Sequence, residues 1–397
     1  MIDKNLNKSN YTAHNRIIGL DVLRAIAIVL VVWYHSFKIL TPLVNLPHIG
    51  SIINKIRVFS DWFGPLGVDL FFVLSGFLIG TILVKTFLTS INFGFNEVKN
   101  FWTRRWFRTI PNYYFMLTIA FILYYVKYDI NFDFRYYFFV QNWITVHPQF
   151  FGEAWSLAVE EWFYLTLPIA LLVLGNVLKD KSKKFILKIT FLSYLLIFIV
   201  LRFIKAYVHN YVEFDEEIRK VVLYRLDSVM YGVIISYLMH FHKERLYKIK
   251  NKLLYIGIVS SLLIVSLFFL VEAQSNIYKQ NEILRLIVDS LYFTFIPFLF
   301  SLLIPAAYFL KDIKYLYLRK VILHLSLISY SLYLIHYSII YIPFFRDIKS
   351  TSVGSAILYY LLYWIVVITL STINYYFFEK PTTRLRDLFS KKEQQIN

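Results

Sequence analysis

Two ionisable side chains, Arg24 and His35, sit eleven residues apart in the apolar stretch Gly19 to Phe37. At roughly 100° per residue, eleven residues return almost to the same azimuth. On a helix both groups therefore project from one face, about 16 Å apart. Asp21 lies one turn before Arg24 on nearly the same side. Ionisable groups inside an apolar span are costly; they tend to face the protein interior and mark a pathway or a reactive site. An imidazole there can take and return a proton near neutral pH.

Other apolar stretches carry polar groups at comparable depth. Ser156, Glu160 and Tyr164 fall at i, i+4 and i+8, with Glu161 beside them. Arg225 and Asp227 open another stretch, Ser329, Tyr333 and His336 share one side of a third, and Asn374 lies in the last. Asp69, Ser75, Gly76 and Gly80 share a stretch whose glycine spacing lets a second helix approach closely. His35, Glu160, Arg225, Asp227 and His336 are all expected in the outer half of the bilayer, around one polar cavity. Two imidazoles with carboxylates nearby suit proton abstraction, and they equally suit a proton-coupled transporter.

A further signal is Thr103 to Pro111, TRRWFRTIP, in which Arg104, Arg105 and Arg108 could share one broad face of a short helix. Guanidinium groups suit bidentate phosphate contacts, so a phosphate-rich cosubstrate such as an acyl-CoA would fit. The plainer alternative is headgroup anchoring and orientation. Plainer readings exist for the others too. Arg24 could snorkel to the headgroups, and Glu160 could pair with Arg225 as structural glue.

The elements that must position these groups follow from composition. The chain has 397 residues, 58% hydrophobic and 20% aromatic, with mean hydropathy +0.56. That excludes a soluble enzyme of this size and indicates a multi-span membrane protein. The net charge of +17 would suggest nucleic acid in a soluble chain. Here the Lys and Arg residues lie between apolar stretches, so they read as orientation signals, with no nucleic-acid partner. With no cysteine, disulfides and a thiolate nucleophile are excluded. No cleavable signal peptide is expected, because the first apolar run is too long for an h-region and has no cleavage site close behind.

Ten spans are expected, near 18–40, 62–84, 109–126, 154–178, 185–204, 221–241, 253–271, 285–310, 321–344 and 353–378. Each is long enough for a ~30 Å hydrocarbon core. Alternate loops and both tails carry a roughly threefold excess of Lys and Arg over the other loops, which puts both termini in the cytoplasm. The expected fold is all-α: a cytoplasmic tail over 1–17, one ten-helix membrane domain over 18–378 and a basic cytoplasmic tail over 379–397, with no soluble domain.

Taken together, these pieces resemble the family-three integral-membrane acyltransferases, which include bacterial O-acetyltransferases of O-antigens and exopolysaccharides. The resemblance runs along about 18–386. It rests on Arg24 and His35, FFVLSGFLIG at 71–80, RRWFRTIP at 104–111, WSLAVEEWFYL at 155–165, RLDSVMYG at 225–232, SYSLYLIH at 329–336 and FEKPTTRLR at 378–386. It implies a bacterial plasma-membrane enzyme that moves an acetyl group from cytoplasmic acetyl-CoA to a hydroxyl of an envelope glycan or lipid-linked sugar, with no metal. Arg24 and His35 match the family's essential span-one pair. Arg104, Arg105 and Arg108 match the loop thought to handle the CoA phosphates, and Ser156 and Glu160 match its acidic motif. Some relatives carry a fused extracytoplasmic hydrolase-like domain. Without one, transfer is either direct within the bundle or finished by a separate extracytoplasmic partner.

The resulting expectation makes His35 the general base. Glu160 or Asp227 would orient its imidazole, Arg24 or Arg225 would stabilise an oxyanion, and His336 would sit nearby. The rival class is a transporter or flippase of lipid-linked sugars. Against it, the chain shows no inverted repeat and no pair of Gly/Pro-broken spans in matching halves.

Overall fold

A computed structural model describes residues 16–46, 49–208, 213–273, 281–348, 350 and 352–385. Of the expected tails over 1–17 and 379–397, residues 1–15 and 386–397 lie outside the described residues, and 379–385 are helical. All regular elements described are helical. They are α1 (Ile18–Phe37), α2 (Gly50–Ser60), α3 (Phe63–Thr89), α4 (Phe95–Tyr128), α5 (Ala154–Val177), α6 (Lys183–Val208), α7 (Leu226–Phe241), α8 (Lys243–Ala273), α9 (Glu282–Ser301), α10 (Ile304–Tyr308), α11 (Leu316–Ile335) and α12 (Val353–Asn374).

Among the described residues, nine helical segments are long and apolar enough to cross a bilayer. The sixth expected span, 221–241, is the sixteen-residue α7, which a short 3₁₀ turn at Val222–Tyr224 precedes. At 1.5 Å per residue α7 covers about 24 Å, short of a full hydrocarbon core. Its N-terminal end carries Arg225 and Asp227, so part of the expected span is spent on ionic contacts.

The largest departure from the expected boundaries is α4. The basic stretch before Thr109 is the start of a continuous 34-residue helix and not a loop. Gly94 and Glu97 cap it, the Gly94 amide donating to the Glu97 carboxylate at 2.8 Å. Pro111 is tolerated inside it. The basic residues are therefore held at fixed angles around a rigid rod.

Two helix pairs set the frame. α3 and α7 meet backbone to backbone. A Cβ on Gly76 would overlap the Val229 carbonyl, and one on Gly232 would overlap the Val73 carbonyl. Packing thus accounts for the small-residue spacing in α3. α1 lies between α3 and α11, its buried face built from Leu20, Ala27, Ile28, Val31 and Val32. Beyond Ile335, α11 widens into π geometry over His336–Phe345. Such widened turns are rare and gather at functional sites.

Candidate active site

Two cavities open along the face of α1 that packs on α11. The first, a chamber of about 130 Å³, is lined by Arg24, Arg105 and Arg108 together with Glu160, Glu161 and Glu379. The second, a vestibule of about 630 Å³, is lined by His35, His336, several tyrosines and a cluster of charged loop residues. The expected common face of Arg24 and His35 is present, with each group at a different cavity. The matching residues on the neighbouring element are Ser326 and His336.

The vestibule holds the imidazole pair. Nδ1 of His336 lies 2.8 Å from the Tyr333 carbonyl and 3.2 Å from that of Leu332. Carbonyls only accept, so this nitrogen carries the proton and Nε2 keeps a lone pair. That Nε2 lies 3.0 Å from Nδ1 of His35. Nδ1 of His35 also lies 3.1 Å from the Val31 carbonyl. Both neighbours accept, so Nδ1 of His35 is the N–H and its Nε2 holds the lone pair. A carbonyl–His–His chain thus fixes both tautomers, as second partners do for reactive imidazoles. The Tyr337 ring packs on His35 at 4.1 Å between centroids.

Glu160 and Asp227, the expected orienting carboxylates, are elsewhere. Glu160 lines the chamber, where it accepts from Ser75 at 2.9 Å, Tyr164 at 2.7 Å and Arg105 at 3.4 Å. Its ionic partner is Arg105 and not Arg225, the pairing raised as the plainer alternative. Asp227 is fully buried and takes a bidentate contact from Arg202, with both distances 2.8 Å. Arg225 is also fully buried, pairs with Asp69, and lies over the Phe293 ring at 3.9 Å. Arg225 and Asp227 line neither cavity.

The arginine trio divides. Arg105 points inward, donating to Tyr164 at 2.8 Å and stacking over its ring. Both Arg104 and Arg108 are exposed, but Arg108 lines the chamber and Arg104 does not. Arg24 donates to Asp21 and to Ser326, both at 3.1 Å, and Ser326 donates back to Asp21. The chamber therefore brings three arginines together with three glutamates, and carboxylates already orient Arg24 and Arg105.

Sequence reasoning missed Arg202, visible as the sole arginine of an apolar stretch, and Glu379, which lies in the FEKP motif. Glu379 reaches the chamber through a network with Ser331, Asn112 and Asn374. The vestibule's loop residues were also missed. Burial pushes the His147 imidazole down to about 3, with Lys220 adding to the effect, so the ring is neutral near pH 7. Its buried Nε2 has no partner and the residue lines the vestibule. Burial pushes the Asp215 carboxyl up, but Arg219 and Lys220 outweigh it and hold that carboxyl well below the usual range.

Comparison with known proteins places this geometry in context. A family model described as an acyltransferase domain matches residues 17–376. A protein of Staphylococcus aureus strain COL named "Putative O-acetyltransferase" is 26% identical over 409 residues, covering 96% of this chain and 59% of the relative. The O-acetyltransferase OatA of S. aureus strain NCTC 8325 / PS 47 is 28% identical over 393 residues, covering 91% of this chain and 56% of the relative. The chain thus spans somewhat more than half the length of these curated relatives. No solved structure matches it.

Proposed function

The chain belongs to the acyltransferase-domain family, and from that premise we propose that it is a membrane O-acetyltransferase. In this reading it moves an acetyl group from acetyl-CoA to a hydroxyl of a cell-envelope glycan or lipid-linked sugar, in the bacterial plasma membrane. The observation that carries the reading is the tautomer chain. It leaves the one unprotonated nitrogen of His35 on the side of a roomy, tyrosine-lined vestibule.

The donor enters from the arginine chamber. Arg105 and Arg108 hold its phosphates, and the arm passes Arg24. The pantetheine arm, long enough to cover ~15 Å, carries the thioester toward His35. The acceptor occupies the vestibule, whose mix of tyrosine rings, Asp215, Arg219 and Lys220 suits a polyhydroxyl ligand. Its hydroxyl gives a proton to Nε2 of His35 while its oxygen bonds to the thioester carbon. The carbon–sulfur bond then breaks, and the CoA thiolate takes the proton back from Nε2. His336 stabilises the intermediate imidazolium by accepting from its Nδ1–H, the role a carboxylate plays behind a hydrolase histidine. Onward transfer of the acetyl group by a separate extracytoplasmic partner is compatible with the same donor route.

The test uses purified full chain, labelled acetyl-CoA and the His35→Ala variant. Loss of label transfer with donor binding retained supports the reading. Normal transfer by the variant removes His35 from the chemistry, and absence of any CoA binding by the unaltered chain removes the donor.

A further inference from the structure

Two residues, Val68 and Tyr333, line both cavities. Val68 contributes only a small aliphatic surface. Tyr333 is a large, buried side chain whose hydroxyl is tied down on the far side of the passage. That hydroxyl lies 2.6 Å from Ser156 Oγ and 3.2 Å from the Glu153 carbonyl, at the start of α5. Its ring meets Phe71 edge-on at 6.2 Å between centroids, and the next residue of α3, Phe72, meets Trp155 at 6.0 Å. The phenol thus spans from α11 to α5 across the space between the arginine chamber and the histidine vestibule. Its own carbonyl accepts from His336, so the residue that closes the passage also fixes the tautomer behind His35.

We propose that Tyr333 is the plug between the two cavities, latched shut by Ser156 and the Glu153 carbonyl, and that its side chain must swing aside for a ligand in the chamber to reach His35. The inference rests on the acetyl-transfer reading for the identity of that ligand, but not for the existence of the plug. A shut passage keeps water in the vestibule away from a thioester held among the arginines. An open passage admits the acyl group when an acceptor is ready. A phenol suits this better than an aliphatic residue. Its hydroxyl gives the shut state two directional contacts that rotation about χ1 releases together, whereas dispersion contacts would loosen gradually.

The chain has no cysteine, so Ser75→Cys, at a chamber residue, supplies a single thiol. A small anionic methanethiosulfonate is applied to either side of sealed vesicles that carry the full chain in one orientation. From the arginine side the labelling rate is expected to be the same with Tyr333, Tyr333→Phe and Tyr333→Ala. From the histidine side it is expected to rise on the order of tenfold or more with Tyr333→Ala. With Tyr333→Phe, which keeps the ring and loses the latch, a rise of roughly fivefold is expected, the scale of one or two hydrogen bonds.

Equal labelling from the histidine side with Tyr333 and Tyr333→Ala overturns the plug. A rise with Ala but none with Phe overturns the latch. The same variants are then given acetyl-CoA without acceptor. Tyr333→Ala is expected to raise hydrolysis to acetate and CoA several-fold. Here water takes the acceptor's place, giving one proton to His35 Nε2 as its oxygen bonds to the acyl carbon, and the departing thiolate recovers the proton. If labelling shifts as expected while no variant cleaves acetyl-CoA, the plug stands and the donor assignment falls.

Discussion

Two of the places where arginine meets carboxylate in this bundle differ in what surrounds the pair. In the lock formed by α3, α6, α7 and α9, Arg202 holds Asp227 and Arg225 holds Asp69, with all four side chains essentially inaccessible. Arg202 also reaches the carbonyls of Ser290 and Tyr224 and the Thr294 hydroxyl, so every N–H it owns is used. None of the four side chains lines the chamber or the vestibule. In the chamber, Arg24 and Arg105 are likewise paired, yet their side chains keep 20% and 13% of their surface accessible, and they face an open space beside Arg108. Buried charge alone therefore does not mark chemistry. Charge that lines a void does, because only there can a ligand replace a protein partner.

That contrast can be broken or sharpened experimentally. The largest effect is expected at His35. His35→Ala should lower acetyl transfer by about 10²–10⁴, the range of a lost general base, with thermal stability within a few degrees of the unaltered chain.

Next is the lock. Arg225→Met leaves Asp69 buried and unpaired, and about 3–5 kcal/mol of stability should be lost. It would be read as a fall in unfolding midpoint in detergent, with transfer per folded molecule unchanged. Pairing it with Asp69→Leu should recover most of that loss. A transfer defect in the doubly altered chain would show that the lock does more than hold helices.

His336 comes third. His336→Phe should cost roughly tenfold to a hundredfold in transfer, the scale of lost second-partner support. His336→Gln, whose amide oxygen still accepts from Nδ1–H of His35, should cost less. Equal losses would mean that the acceptor role assigned to His336 is unimportant.

The chamber arginines follow. Arg105→Gln and Arg108→Gln should each weaken acetyl-CoA binding several-fold, while exposed Arg104→Gln should leave it unchanged, as seen by titration calorimetry.

The smallest effect is at Asp215. Its carboxyl pKa is depressed in the folded chain, so its stabilising contribution is present above the ordinary value near 4 and fades as pH falls through the lower folded value. The difference in unfolding midpoint between Asp215→Asn and the unaltered chain should therefore be constant above about pH 5 and shrink below about pH 4.

Helix existence was legible because apolar runs of lipid length leave little choice, and the common face of Arg24 and His35 was legible because helical periodicity is rigid. Partner choice was not. Glu160 could be placed on the correct face of its helix, but only the packing of α4 against α5 brings Arg105 to it in place of Arg225. The division of the arginine trio depended on α4 being continuous through Pro111, whereas a short helix before a span starting at Thr109 was expected. The His35–His336 contact crosses 301 residues of sequence. Its register depends on α1 and α11 lying side by side, which single-helix periodicity cannot supply. The expectation of one polar cavity failed for a related reason. Glu160 lines the chamber with Arg24 and not the vestibule with His35, while Arg225 and Asp227 are taken up by Asp69 and Arg202 away from both.

The touching backbones of α3 and α7 carry a mechanical consequence. Where main chains meet at Gly76 and Gly232 with no side chains between them, neither rod can slide or roll without atomic overlap, so this pair behaves as the keel of the molecule. Strain introduced by an incoming substrate has to be taken up elsewhere. The widened turns after Ile335, with their looser hydrogen-bond pitch, are the compliant joint that remains. Motion would then be confined to the wall bearing Tyr333 and His336, while α3, which carries Val68 and Ser75, stays still as the surface against which that wall moves.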